Sequence, residues 1–547
     1  MNNASARLPI TGQSSKPTTA LATQNRPIYI DRLPPCNAAC PAGENIQQWL
    51  NLAQDQHYEE AWRVLVRDNP MPAIHGRVCY HPCENDCNRK RMDQPVSIHA
   101  VERFLGDMAL ECGWVVWPGR PTGKHVLVIG SGPCGLSAAY HLTRFGHRVT
   151  VYEAGAKLGG MMRYGIPEYR LPRDILDGEI ERIRQMGVSF YTRRRVDDLN
   201  EFLVDKKFDA VLLAIGAQLG KRVEIPAPDA KKIIDALKFL ANTEESKEIC
   251  IGRKVAVYGG GNTAMDAART ALRLGAQESI IIYRRNREKM PAHESELEEA
   301  LTEGVVVNWL RTIKYMGDDD IEVEKMELDD KGYPRPTGKT ETLKADVLVL
   351  ALGQETQSEF LKKVPNIIVG KGGEIQVNDH LMTGQPGVFA GGDMIPADKT
   401  VTVAVGHGKK AARHIDAYLR GETYVIPAKH SLANYDLLRV DWYSKSGSAQ
   451  QPVMPTSVRI KSFDETIGGL NAHNAYYEAR RCLSCGNCFE CDTCYNVCPD
   501  QTIFKLGPGK RFYIDMTYCS RCGLCVQECP CGAMAMMNDS KASLQIG

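Results

Sequence analysis

Residues 124–155, KHVLVIGSGPCGLSAAYHLTRFGHRVTVYEAG, decide the fold. Val126–Ile129 read as an apolar strand, and Gly130, Gly132 and Gly135 fit the G-x-G-x-x-G turn. The first glycine permits the tight turn, the second lets a pyrophosphate approach the backbone, and the third lets the next helix pack on the strand. The start of that helix then faces the phosphates with unpaired N–H groups. HRVTVYE supplies a second strand. Glu153, 18 residues beyond Gly135, ends it where a carboxylate can accept hydrogen bonds from ribose hydroxyls. A complete strand–turn–helix–strand–acid unit points to a dinucleotide-binding α/β domain.

The unit occurs again at 253–276, RKVAVYGGGNTAMDAARTALRLGA, followed by ESIIIYRRNREKMPA. Gly259, Gly261 and Ala264 take the same turn positions, with Asn262, Thr263 and Asp266 in the same motif. Its second strand ends not in an acid but in Tyr283-Arg284-Arg285. An arginine pair can grip a 2′-phosphate by charge-assisted bonds, which favours NADP(H) over NAD(H). The alternative is a solvated basic turn. Residues 383–412, TGQPGVFAGGDMIPADKTVTVAVGHGKKAA, place Gly392 and Asp393 after an apolar strand and before a helix. Such an aspartate can hold a flavin ribityl chain while the helix start faces the isoalloxazine. DAVLLAIGA and ADVLVLALGQ read as apolar strands ending in Gly216 and Gly353, where the backbone is expected to cross beside the two nucleotides. A nucleotide domain inserted into a split FAD domain explains this order.

At 547 residues the chain should hold three or four domains. Hydrophobic residues at 43% and charged residues at 24% are an ordinary globular balance. A net charge of +1 argues against nucleic-acid or membrane partners chosen by bulk charge. No apolar run approaches a membrane span, and the polar start lacks a signal-peptide stretch. The 19 cysteines at short, regular spacings therefore indicate metal ligation in a reducing compartment, the cytoplasm, rather than disulfides.

Cys488, Cys491, Cys494 and Cys498-Pro499 give C-x2-C-x2-C-x3-C-P, and Cys519, Cys522, Cys525 and Cys529-Pro530 repeat it. Three cysteines of each run bind one [4Fe–4S] cluster and the fourth ligates the other. The expected sets are Cys488, Cys491, Cys494 with Cys529, and Cys519, Cys522, Cys525 with Cys498. C-x2-C also suits zinc, but the doubled run with following prolines favours a bacterial-type ferredoxin module.

GSGPCGLSAAYHL, GGMMRYGIPEYRLP, GGGNTAMDAA, YRRNREKMPA and GVFAGGD together resemble the small subunit of glutamate synthase. They are also similar to the NADPH-binding subunit of bifurcating transhydrogenases and to the amino-terminal half of dihydropyrimidine dehydrogenase. The resemblance covers about residues 30–420. It implies FAD at the Gly130 unit and NADPH at the Gly259 unit, with Gly159, Gly160 and Arg163 near the flavin. The expected fold is an α/β two-dinucleotide-binding (Rossmann-like) flavoprotein core. An N-terminal α-helical Fe–S domain precedes it, and a C-terminal α+β ferredoxin domain follows. The boundaries are a disordered tail at 1–27, the helical domain at 28–121, FAD-binding parts at 122–248 and 346–425, an NAD(P)H domain at 249–345, a connector at 426–478 and the ferredoxin domain at 479–547.

Relatives begin with C-L-x-C, then C-x3-C-P, then a cysteine triplet, and together these hold two clusters. This chain has Cys36-x3-Cys40-Pro41 and Cys79-x3-Cys83-x3-Cys87 but no earlier cysteine pair. The family also supplies a downstream carboxylate, for which Glu102 stands in position; a surface helix glutamate is the alternative. SFDETIGGLNAHNAYYEARRCLSC at 462–485 resembles the missing leading piece, moved to the other end. The ligand sets are then Cys36, Cys87, Cys482 and Cys485, and Cys40, Cys79, Cys83 and Glu102. Cys482 and Cys485 could come from the same chain or a symmetric neighbour. Otherwise they are spare thiols and one amino-terminal cluster forms. Cys112, Cys134, Cys250 and Cys531 have no assigned role. No C-x4-C pair accompanies the flavin turn, which argues against disulfide reductase chemistry.

These cofactors describe an oxidoreductase passing electrons between NAD(P)H and a partner through FAD and [4Fe–4S] clusters, with no acid or base side chain required. It would serve as one subunit of a hetero-oligomer beside larger oxidoreductase subunits. Alternatives are a free-standing NAD(P)H:ferredoxin oxidoreductase with a soluble ferredoxin, an output subunit of a 2-oxoacid oxidoreductase, or a scaffold with structural cofactors.

Overall fold

A computed structural model describes residues 25–204, 207–221, 223–245 and 251–538. Cys250 and most of the expected tail lie outside them. The chain divides into two units, one of residues 35–429 and 445–482, the other of 1–34, 430–444 and 483–547.

In the larger unit, a five-stranded parallel sheet runs in the order Val388–Ala390, Ala210–Leu213, His125–Ile129, Arg148–Tyr152, Ser189–Tyr191. Near-continuous Val, Ile and Leu suit strands covered on both faces, and Val126–Val128 and Leu212–Leu213 are fully buried. A second parallel sheet orders Val306–Trp309, Glu278–Tyr283, Lys254–Tyr258, Val347–Leu350 and Ile233–Asp235. Leu219–Gly220 pairs with Gln354–Glu355, and the Lys221 N–H donates to the Gly353 carbonyl at 2.9 Å. The chain thus leaves and re-enters the FAD domain at one place. The nucleotide domain spans about 221–353, wider than the expected 249–345, because Ile233–Asp235 and Val347–Leu350 complete its sheet.

The helical region of this unit packs Ile46–Gln54, Tyr58–Leu65, Pro72–Val78 and Ile98–Glu111 around buried Trp49 and Trp62. Ile98, Val101, Leu105 and Ala109 form the helical-period stripe that drives this packing. Two helices cross at glycines: a Cβ on Gly106 would stand 2.3 Å from the Ala73 nitrogen, and one on Gly76 would stand 2.5 Å from the Arg103 nitrogen. The crossing sets Cys79, just after the first helix, near Glu102 on the second. The region expected as a connector is largely exposed over 426–469, but its end is core. Leu470, Ala475 and Ala479 join the same apolar cluster, and helix Ala472–Arg480 lies against Ile46–Gln54 and Ile98–Glu111.

In the smaller unit, Asn25–Tyr29 pairs antiparallel with Met534–Asn538. The chain is therefore a strand from Asn25, and these residues belong with the cysteine-dense terminus rather than with a tail or the helical region. Ile503–Lys505 and Phe512–Ile514 form a hairpin. Cys494, Cys525, Cys529 and Cys531 form much of the core with Ile503, Phe512 and Met534. So few carbon side chains bury little apolar area, which is the situation in which small domains rely on metal.

Candidate cofactor sites

Both turns take strained backbone that glycine supplies. Gly130 has φ +105°, and a Cβ there would lie 2.3 Å from the Ala214 carbonyl oxygen. A Cβ on Gly135 would meet the Gly130 carbonyl at 1.9 Å, whereas one on Gly132 would meet nothing within 4 Å. That open side at the start of helix Pro133–Arg144 is a cradle fitting a pyrophosphate. Glu153 is buried; it accepts from the Ser131 N–H at 3.0 Å and hydroxyl at 2.6 Å, and from the Gly155 N–H at 2.7 Å. Its carboxylate retains acceptor capacity toward a ribose.

A cleft of about 310 Å³ opens from this turn. Gly130, Gly132, Glu153, Gly160, Gly216, Gly392 and Asp393 line it, and so do Asn262, Thr263 and Asp266 of the second unit. One continuous cleft joining both turns fits a flavin meeting a nicotinamide. Burial pushes the Asp393 carboxyl up to about 6, against the pull of Lys399. Gly159 instead packs toward Leu176. The Arg163 guanidinium binds the Leu158 carbonyl at 2.6 Å and pairs with Asp177 and Glu244, so it braces the loop around Gly160.

In the second turn a Cβ on Gly259 would lie 2.2 Å from the Ala351 carbonyl, and Gly261 is open like Gly132. Arg284 and Arg285 follow Tyr283 at the strand end; Arg284 is exposed, and Arg285 carries a buried Nε with no hydrogen-bond partner. That unsatisfied donor suits an anion. Arg170, missed by sequence reading, lines the cleft and binds both carboxylate oxygens of Asp266 at 2.9 Å.

Cys40, Cys79, Cys83 and Glu102 lie close together, for Cys40 is influenced by Glu102 and Cys79, and Cys83 by Cys79, Cys40 and Cys36. Burial raises all three thiols, Cys79 to about 12. Crowded, buried sulfurs are costly as anions unless a cation compensates them, which fits iron. Glu102 is buried rather than on the surface, and Asn69 donates to it at 2.6 Å and to Glu44 at 3.1 Å. Burial raises both carboxyls, with the charge of Asp68 adding to Glu44 and that of Glu44 adding to Glu102. Glu44 is a second missed residue, legible only as an acid four positions after Cys40. Cys36, Cys87 and Cys482 pack against the same core. Just before Cys482, Arg481 binds the carbonyls of Gln94 at 2.7 Å and Pro95 at 3.0 Å, and Glu478 accepts from the Ser97 N–H at 2.9 Å. Glu478 and Arg481 thereby peg the segment before Cys482 to the helical region. Cys485 falls in the smaller unit.

Flavin cleft and cysteines share a wall. Val401 and Ala404 of helix Val401–Arg420 and its N-cap Thr400 line the cleft, while the Thr402 hydroxyl between them favours the Cys79 thiolate. Val78 and Tyr80, flanking Cys79, also line the cleft.

In the smaller unit, Cys498, Cys519, Cys522 and Cys525 line one small cavity with Pro27 and Pro499. Cys494 is influenced by Cys488, Cys491 and Cys529. Cys525 is influenced by Cys494 of the other run as well as by Cys519, Cys522 and Cys498, so each fourth cysteine lies beside the other run's three while the two groups adjoin at Cys494 and Cys525.

Three family models match the chain. The pyridine nucleotide-disulphide oxidoreductase model covers residues 124–408, a dihydropyrimidine dehydrogenase domain II 4Fe-4S cluster model covers 11–114, and a 4Fe-4S dicluster domain model covers 487–533. The NADP(+)-dependent formate dehydrogenase subunit beta of Moorella thermoacetica is 37% identical over 499 residues, 82% of this chain and 70% of that one. YgfK of Escherichia coli (strain K12) is 33% identical over 520 residues; the match takes in 91% of this chain but 48% of that one, so the chain spans about half its length. The glutamate synthase [NADPH] small chain of Azospirillum brasilense is 32% identical over 420 residues, 71% of this chain and 87% of the other.

Proposed function

From the premise that this chain belongs to the pyridine nucleotide-disulphide oxidoreductase family, carrying iron–sulfur domains at both ends, we propose an electron-transfer subunit. It passes electrons between NADP(H) and a partner oxidoreductase subunit in a cytoplasmic hetero-oligomer. The observation that carries the reading is the shared wall, in which Val401 and Ala404 of one helix face the flavin cleft while Thr402 between them acts on Cys79. A disulfide reductase needs a redox cysteine pair beside the flavin, and Cys134 is the single cysteine lining the cleft among the described residues.

FAD, when bound, supplies the exchange between two-electron nicotinamide chemistry and one-electron clusters. The chain's residues bind and shield. Gly132 and Gly261 leave room for the two pyrophosphates, Glu153 and Asp393 hold hydroxyls of the flavin nucleotide, and Arg284 and Arg285 hold a 2′-phosphate. The cluster ligands are Cys40, Cys79, Cys83 and Glu102; Cys36, Cys87, Cys482 and Cys485; and the two ferredoxin sets. The partner reading draws on the relatives named as subunits, and the cytoplasmic reading on the cysteine usage. No helix among the described residues is long and apolar enough to cross a membrane.

The test is iron and acid-labile sulfide per flavin on anaerobically purified protein, followed by anaerobic NADPH addition. About 16 irons per flavin corresponds to four clusters and supports Cys482 and Cys485 as ligands; about 12 removes them from the ligand set. Failure of both NADPH and NADH to bleach the flavin would overturn the enzyme reading.

A further inference from the structure

The two halves of the ferredoxin module repeat each other in ligand spacing but not in what surrounds the sulfurs. Backbone donors match at the fourth cysteines, where N–H groups of Cys531, Gly532 and Ala533 act on Cys529 and those of Asp500, Gln501 and Thr502 on Cys498, while Cys488 has the Glu490 N–H besides. Side-chain donors differ. In the set Cys488, Cys491, Cys494 and Cys529, the Tyr29 hydroxyl lies 3.4 Å from the Cys494 sulfur. The Thr493 hydroxyl lies 3.3 Å from Cys491, and the Cys531 thiol lies 3.8 Å from Cys529. In the set Cys498, Cys519, Cys522 and Cys525, the Thr502 hydroxyl lies 3.5 Å from Cys498.

The repeat itself explains the imbalance. Leu524 stands in the second half where Thr493 stands in the first, Ala533 where Thr502 stands, and Asp500 where Cys531 stands. Tyr29 has no counterpart, because it comes from the strand Asn25–Tyr29 added along Met534–Asn538, with Tyr29 opposite Met534. Arg511 acts in the same sense, since its charge falls on Cys488. Cys531 is fully buried, so its S–H has no water to turn to.

We infer that Tyr29 and Cys531 are positioning residues that hold the Cys488/Cys491/Cys494/Cys529 cluster at a higher reduction potential than its repeat-related neighbour. Hydrogen bonds to cluster sulfurs stabilise the more negative, reduced state, and their number sets the potential. Each cluster gains one electron on reduction; the O–H and S–H protons stay on Tyr29 and Cys531, so no bond is made or broken. An electron entering the module therefore rests on the Cys488 set. The inference rests on the ligand assignment proposed above.

The experiment is an anaerobic redox titration of the full-length holoprotein followed by electron paramagnetic resonance, with iron determined on the same samples. Tyr29→Phe and Cys531→Ala should each lower the reduction equilibrium of the same, higher-potential cluster about tenfold, or 59 mV for one electron. Thr502→Val should lower the other. Unchanged midpoints in Tyr29→Phe and Cys531→Ala at full iron, or shifts of different clusters by the two, would overturn the inference. Loss of iron in both would overturn it too, by making them structural. Wild-type protein lacking the module's two clusters would instead break the ligand assignment.

Discussion

The two glycine turns share one backbone and part company at a single register position. Gly130 donates to the Tyr152 carbonyl at 2.8 Å and Gly259 to the Ile282 carbonyl at 3.1 Å, so the residue after each acceptor corresponds: Glu153 in one, Tyr283 in the other. In the first turn Ser131 bonds Glu153 through its N–H and hydroxyl. In the second, Gly260 occupies the serine's place, and a Cβ there would strike the Tyr283 ring at 2.4 Å. One turn is closed by a carboxylate and its donors, the other by an aromatic ring against bare backbone. Arg284 and Arg285 then follow the ring. The shared turn geometry accommodates pyrophosphate in both; the closing residue gives one site acids and the other bases.

The third position breaks the likeness most severely. Gly135 faces the Gly130 carbonyl, with 1.9 Å to an added Cβ, whereas its counterpart Ala264 already carries one and is fully buried. Gly135→Ala should therefore force the helix off the strand, destabilising by about 3 kcal/mol, and purify with little flavin. Flavin absorbance and a denaturation curve measure both. Normal flavin content would mean that the two turns are interchangeable at this position.

The sign contrast makes a pH prediction. Asp393 titrates near 6 in the folded chain against an ordinary value of 3.8. The folded state therefore holds its proton to higher pH than the unfolded state, and its contribution to stability falls as pH rises through this window. Ionisation costs the apoprotein up to about 3 kcal/mol at neutral pH. Asp393→Asn should stabilise flavin-free protein at pH 7, with the gain fading toward pH 4, while weakening FAD binding. Equal stability of the two proteins across pH 4–7 would remove Asp393 as a strained acid.

On the basic side, replacing Arg284 and Arg285 together by alanine should raise KM for NADPH by about 10–100-fold and leave NADH little changed. Charge-assisted hydrogen bonds of about 1.5–3 kcal/mol give that range. Equal losses with both nucleotides would mean the pair holds something common to them, not the 2′-phosphate.

How far each region is legible in sequence follows from where its parts lie. The two turns and the ferredoxin cysteines were readable because every group sits within a few residues of the next, and spacing alone carries geometry. The split FAD domain was readable from the order of its strands. The nucleotide domain's true edges were not, since Ile233–Asp235 joins its sheet only through pairing with Val347–Leu350. Thr402 on Cys79, Arg170 on Asp266 and Tyr29 on Cys494 are contacts between remote segments, invisible to local periodicity. The strand Asn25–Tyr29 was lost for the same reason: NRPIY contains a proline and borders a polar tail, and its partner lies at the far end of the chain.

The smallest expected effect tests whether the need for glycine at the third position comes from the motif or from the local approach. Ala264 lies in the first turn of helix Asn262–Arg273, and its N–H donates to the Gly261 carbonyl at 2.9 Å. Ala264→Gly restores the full G-x-G-x-x-G pattern while removing one buried methyl. Glycine in a helix costs about 1 kcal/mol relative to alanine, and the methyl adds about 0.8 kcal/mol. If the motif itself confers nucleotide affinity, NADPH should bind more tightly to this variant. If only helix-to-strand spacing matters, as the tolerated Cβ argues, affinity stays within about twofold and the change reads solely as a slightly lower Tm. The second outcome is expected, because Gly259 and Gly261 already provide the positive φ and the open approach.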